Sequence, residues 1–411
     1  MSRPTAYHFY LFAEAALALP SFIVVAIYFV QQVGLSPLQL VLVGTVMEIS
    51  VFVFEVPTGV VADLYGRKLS LVIAWIVMGA STILVGAVPE FWAALAGWAL
   101  WGFGVTFMSG AFEAWITDEV GAGNVGRVFV RGLQASYIAG IAGLVLWIGL
   151  ATVSLQGAVI ADGAVTLAVG LLAIPLMRET GFHRRAHGRG AGLETARRGV
   201  RLVRGRPVLL LLVAAAFFAG AYTEGFDRLW EAHFLRDVGL PAFFGLSDLW
   251  WFAVLGVGAM LLGLLVSNVL VKRVTHGSDR SMAKLLFVLA ALQIATAIVF
   301  GLAAGLAVAV IAYWGARLTR SLSNPVYMTW LNQSIDDSSV RATVISLSGQ
   351  SDAIGQVAGG PGIGAIGNAF GIPAALVAGG LVLTPALALY ARAIGHGGPE
   401  PEFVGVDSAA S

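Results

Sequence analysis

The chain has 411 residues, of which 58% are hydrophobic and 11% charged, with no cysteine and a formal net charge of +1. Soluble domains carry roughly 25% charged residues, so an ordinary water-soluble protein is excluded and a bilayer is implied. The near-zero charge provides no global field for nucleic acid, and the missing cysteines rule out disulfides and thiol chemistry, so no metal or cofactor is expected.

A crossing needs about 20 mostly apolar residues, because the hydrocarbon core is about 30 Å thick and a helix rises about 1.5 Å per residue. Twelve such stretches are predicted, at 8–31, 38–61, 69–88, 91–116, 129–151, 161–177, 207–232, 247–271, 284–303, 306–331, 342–367 and 372–394. The first is too long for a secretory signal, contains Glu14 and lacks a small-x-small cleavage site, so it reads as a span. Only Pro89-Glu90 separates spans three and four, and little more than Ala304-Gly305 separates nine and ten, so each pair forms a tight antiparallel hairpin.

Between spans two and three runs Gly59-Val60-Val61-Ala62-Asp63-Leu64-Tyr65-Gly66-Arg67-Lys68. Gly59 and Gly66 permit close backbone approach, and Asp63 can accept from a helix N-terminus. Arg67 can form a two-pronged pair with a carboxylate, for which Asp118 at the end of span four is the nearest partner. The plain alternative is a basic turn that serves topology alone. The Gly-x-x-x-Asp-x-x-Gly-Arg-Lys pattern resembles the signature loop of the major facilitator superfamily of membrane transporters. The resemblance implies a cytoplasmic loop and an all-α fold of twelve membrane helices in two six-helix bundles related by a pseudo-two-fold axis. It also implies a gating latch made by Gly59, Asp63, Gly66, Arg67, Lys68 and Asp118. In that family the aspartate meets the start of span eleven, here Arg341 to Val344, and the arginine meets an acid on span four. No catalytic chemistry is implied.

Residues 178–206 hold nine arginines, two acids and several glycines, and they divide the spans six and six. The expected organisation is an N-terminal bundle over 1–177, a basic cytoplasmic linker over 178–206, a C-terminal bundle over 207–394 and a cytoplasmic tail over 395–411. The linker reads as a solvated, topology-setting loop in touch with anionic headgroups. With the N-terminus inside, 20 of the 24 basic residues face the cytoplasm, which places both termini on the cytoplasmic side of the inner cell membrane. The halves echo one another weakly: Trp115 closes span four and Trp330 closes span ten, 215 residues apart.

Acids in the hydrocarbon zone cost several kcal/mol when ionised and are functional by default. Glu48 and Asp352 each lie about 15 Å into their spans by the helical rise, and Glu14 lies in the cytoplasmic third of span one. A carboxylate that takes up and releases a proton at such a depth couples transport to a proton gradient. Arg317 lies at the depth of Asp352 on the preceding helix. The two either neutralise one another as a buried pair or leave Arg317 for an anionic substrate. On span seven, Glu224, Asp227, Arg228 and Glu231 read as a solvated gate or helix-end network near the outer mouth. Trp98 and Trp101 on span four either line an apolar cavity or pack in the core.

Span eleven contains Gly355-x-x-x-Gly359 and the run Gly360-Pro361-Gly362-Ile363-Gly364-Ala365-Ile366-Gly367, which formally includes Gly-x-Gly-x-x-Gly. A dinucleotide site would need a preceding strand and a soluble βαβ unit. Small residues spaced by four, with a proline, suit close packing and bending of a gate helix instead.

The sequence therefore reads as a secondary active transporter working by alternating access. Proton-coupled export of a small, largely apolar organic compound is the first expectation, because the cavity candidates are mostly apolar or aromatic. Proton-coupled uptake of a nutrient is the alternative. A passive channel and a membrane-embedded enzyme are readings of other classes, though neither His-Glu-x-x-His nor Gly-x-Ser-x-Gly occurs. The expected partners are a small-molecule substrate, protons and the lipid bilayer, with no nucleic acid, and the expected state is a monomer.

Overall fold

The computed structural model describes residues 4–19, 22–181, 191–245, 247–274, 279–335 and 341–396. The N-terminal half contains α1 (Pro4–Ala18) and α2 (Phe22–Gln31), which make span one, then α3 (Pro37–Tyr65) and α4 (Arg67–Ala87). Span four is α5 (Phe91–Met108) continued by α6 (Ala111–Val120), followed by α7 (Ala122–Val153) and α8 (Leu155–Leu176). After α9 (Ala191–Gly205), the C-terminal half contains α10 (Pro207–His233), which ends in a π-helical turn at Phe234–Val238. It continues with α11 (Trp250–Val274), α12 (Asp279–Gly301), α13 (Leu306–Gln333) and α14 (Arg341–Phe370), and closes with α15 (Ile372–Val382) and α16 (Thr384–His396) as span twelve.

Among the described residues, nine helical stretches are long and apolar enough to cross a membrane. α11, α13 and α14 complete the twelve. The last two fall short in hydropathy because they carry Arg317, Arg320, Asn324, Gln350 and Asp352 among their small residues. Ile138 and Ile311 are each 71% exposed, an arrangement that suits lipid and not water.

Local sequence sets the helix ends. Ser36 and Gln39 form a capping box at the start of α3, with Pro37 in its first turn. α3 stops at Gly66, whose φ of 107° is open to glycine and strained for other residues. The expected signature loop is therefore a correction: Gly59 to Tyr65 are the last two turns of α3, and Gly66 alone separates α3 from α4. Span six also starts earlier than hydropathy suggests. α8 begins at Leu155 and holds Asp162 buried at 7% exposure.

The helix pairs repeat between the halves. α1 packs on α7, α3 on α5 and α4 on α8; correspondingly α10 packs on α14, α11 on α13 and α12 on α15 and α16. In span numbers these are pairs 1/5, 2/4 and 3/6 followed by 7/11, 8/10 and 9/12, the pattern of two six-helix bundles related by a pseudo-two-fold axis.

Alternate helices run opposite ways, so the start of α1 and the end of α16 share one face, here the terminal face; the other is the distal face. The contacts joining the bundles gather in the distal half. Leu38 N–H donates to Asn368 Oδ1 at 2.9 Å, Arg236 reaches the turn after α2, and Gly364 and Gly367 lie against Leu38, Val41 and Pro37. One apolar core runs through the C-terminal bundle and the distal half of the N-terminal bundle. The terminal half of the N-terminal bundle has a separate core, around Phe9, Trp75, Phe112 and Trp115.

The linker differs from the expected loop. Residues 182–190 lie outside the described set, but 191–205 form α9, with Gly199 against Thr343 of α14, Val203 buried, and Arg197, Arg201 and Arg204 exposed. The tail from 397 onward also lies outside it.

Candidate functional site

At mid-depth the polar side chains converge from α3, α10, α13 and α14. Asp227 on α10 receives two guanidiniums from α13: Arg317 Nη1 lies 3.3 Å from Oδ1 and Arg320 Nη1 lies 2.5 Å from Oδ2. The spacing of three places both arginines on one face of α13. This replaces the expected Arg317–Asp352 pair. Asp352 on α14 instead accepts from Gln356 Nε2 at 2.8 Å.

Glu224 and Arg228 pair along α10 at 3.3 Å, and both press on Gly44 of α3, where a side chain would collide with them. Glu224 and Glu231 are 1% and 4% exposed while Asp227 and Arg228 are only partly covered, so the span-seven cluster is a half-buried network and not a solvated mouth. Its i, i+4 pairing satisfies Arg228 locally, while Glu231 Oε2 has no hydrogen-bond partner. Glu48 on α3 faces this group from the other bundle, within electrostatic reach of Glu224, Arg228 and Asp352. Five carboxylates thus share the region with three guanidiniums. Nearby, Tyr327 Oη meets Ser348 Oγ at 2.5 Å, tying α13 to α14.

Glu14 lies outside this cluster. It accepts from Ser136 Oγ of α7 at 2.6 Å, within the N-terminal bundle. Trp98 is 3% exposed and packs against Phe29 with ring centroids 5.2 Å apart, so it belongs to the core and not to a cavity wall. Trp101 is partly buried beside it, edge-on to Phe22.

At the terminal face, Arg67 forms an ion pair with Asp118 and also donates to the Ala114 carbonyl at 3.1 Å. Lys68 Nζ donates to the Ile174 carbonyl at 2.8 Å. Glu179 completes the arrangement: Oε1 accepts from the backbone N–H of Arg67 at 2.6 Å and of Lys68 at 3.3 Å, capping α4. Sequence reasoning missed Glu179. The signal was an acid just past span six, able to meet the positive end of a helix that starts without a capping side chain. These contacts stay inside the N-terminal bundle. Gly59 does not serve close approach, since an added methyl there would meet nothing.

The glycines of α14 present two surfaces. Gly355 lies against the Phe217 carbonyl and Gly359 against Ala221, both on α10 of the same bundle. Gly360, beside Val41 and Thr45, and Gly364 face α3 of the other bundle, with Pro361 between them. At the distal end, Arg236 Nη2 donates to the carbonyls of Val30 at 3.2 Å and Leu35 at 2.8 Å. His233, fully buried, joins Asp237 at 3.1 Å and the Phe300 carbonyl at 2.9 Å. Among the described residues no three acids or histidines group as a metal site.

Twelve crossings in two repeated bundles that meet around a polar mid-membrane cluster define a solute transporter and not an enzyme. The family model of the Major Facilitator Superfamily matches residues 9–359, and the chain belongs to that superfamily. It is 23% identical over 361 residues, covering 86% of each chain, to an uncharacterized MFS-type transporter, YxaM, of Bacillus subtilis (strain 168). Its fold is similar to that of a bacterial homologue of the human lysosomal transporter Spinster, with 16% identity, TM-score 0.70, and 95% of this chain and 96% of that one covered. The nucleoside transporter NupG is also similar in fold, with 10% identity, TM-score 0.76, and 95% and 98% covered.

Proposed function

We propose that the chain is a proton-coupled carrier that works by alternating access and exports a small, largely apolar organic compound. The observation that carries this reading is that the bundle contacts gather in the distal half while Glu48 and Asp352 lie at mid-depth just below them. Such an arrangement is one end state of a rocking motion of 1–177 against 207–394 about the 178–206 linker. The excess of carboxylates over guanidiniums in the cluster is where protons bind, and their release as the bundles rock couples the gradient to the substrate. The bias of basic residues supports a terminal face, with both chain ends, on the cytoplasmic side of the inner membrane. In the opposite state the Asp63 and Arg67 segment closes the cytoplasmic side.

The chain has no cysteine, so single introduced thiols report without background. A cysteine at Asn324, exposed in the terminal half of α13, is expected to label readily, and one at Leu38, between the bundles at the distal end, to be protected. Imposing a proton gradient should reverse the two rates. Simultaneous labelling of both sites would mark a channel and end the carrier reading. Gradient-driven accumulation in liposomes, measured in both pH orientations, separates export from uptake.

A further inference from the structure

Asp227 holds two arginines although one would neutralise it. A buried carboxylate that needs only a counterion is satisfied by a single guanidinium, and placing a second charge at this depth is costly unless something else is gained. Asp352, the next acid in range of Arg320, is engaged by Gln356. Taken as a triad, Arg317, Arg320 and Asp227 carry one surplus positive charge, inside a cluster that also holds Glu231 within electrostatic reach of Arg317.

The second arginine is also accessible. The side chains of Arg317 and Arg320 are 40% and 37% exposed, while Glu224 on the facing helix is 1% exposed. Each guanidinium has five N–H donors and uses one on Asp227, so most donors of both forks remain available. Asn324, exposed one turn further along α13, continues the same stripe toward the terminal face. Planar, forked donors match carboxylates two-by-two, which lysine cannot do.

We infer that Arg317 and Arg320 form the head-group subsite of this carrier, and that its substrates are small organic anions with one carboxylate on an apolar body. The inference rests on the carrier reading above and names the chemistry of its substrate. Asp227 is then a positioning residue, aligning both forks toward the gap between the bundles. Glu48 and Asp352, on the opposite and adjacent helices, supply proton sites, so that anion and proton charges compensate as the bundles rock.

The test uses three probes with one body and different heads: phenylacetate, phenylacetamide and phenethylammonium. Thermal stabilisation of the purified full-length protein is measured with each, in the roughly millimolar range expected of ligands this small. Phenylacetate is expected to stabilise the protein and the other two to do so weakly or not at all. Arg320→Gln and Arg317→Gln should each weaken phenylacetate binding about tenfold or more, and Arg320→Lys should recover only part of it. A preference for the ammonium or amide probe, no response to any probe, or equal phenylacetate binding by folded Gln variants overturns the inference. If a variant does not fold, the three-probe comparison on the wild type still decides. The thiol-labelling assay runs on the same protein: alternation without anion preference removes this inference alone, and anion binding without alternation removes the carrier reading alone.

Discussion

Arg236 and Leu35 belong to different bundles, yet the guanidinium of one donates to the carbonyl of the other at 2.8 Å. A further bond to Val30 makes this a two-point clasp on the turn that links spans one and two. The π-helical turn that carries Arg236 places the guanidinium on that turn, and Asp237 beside it is held by His233. Hydrogen bonds from a charged donor contribute about 1.5–3 kcal/mol each when deleted. Arg236→Gln should therefore ease distal opening, so that a thiol at Leu38 labels about tenfold faster, equivalent to about 1.4 kcal/mol. An unchanged rate would show that the clasp does not hold the closure.

The two glycine surfaces of α14 predict opposite phenotypes. Gly355→Val drives a side chain into the Phe217 carbonyl and should deplete folded protein in the membrane. Gly364→Val faces Leu38 and Val41 of the other bundle and should leave folding intact while exposing the distal side. Size-exclusion profiles of the two variants and thiol labelling at Leu38 separate the outcomes.

Glu179 caps α4 through two backbone N–H groups, so Glu179→Ala should cost about 1 kcal/mol, in line with a lost N-terminal cap. Glu179→Gln keeps an acceptor and should melt between the two. Melting of the detergent-purified proteins provides the order, and equal melting of all three would remove the cap from the account.

Glu48→Gln should abolish transport driven by a pH gradient while sparing downhill exchange, because Glu48 faces the cluster across the bundle interface. Glu14→Gln should keep most gradient-driven activity, since Glu14 accepts from Ser136 inside one bundle, away from the mid-membrane cluster. Equal effects in a liposome flux assay would count against this division of roles.

Hydropathy alone exposed the crossings, because burial in lipid demands the same property of every lipid-facing residue. It missed the start of span six, where Gln156 and Gly157 follow the Ser154 cap, and it read α9 as a loop because its three glycines and four arginines interrupt a pattern that only packing on Thr343 reveals. Depth along a helix was also legible, which is why Glu48, Arg317 and Asp352 were picked out together. Pairing was not, since it depends on the rotation of each helix about its axis. Arg317 therefore met Asp227, 90 residues away, and Arg320 and Glu179 went unnoticed until the helices were packed.

Gly360, Gly364 and Gly367 leave the seam between α14 and α3 nearly smooth, with backbone against small side chains and little interlocking. Such a seam can close tightly through many weak attractions yet part without any side chain having to be withdrawn from a socket. A seam without interlocking side chains adds little to the barrier between the sealed and unsealed shapes. A machine that must visit both on every cycle is faster for having no high pass to cross between them.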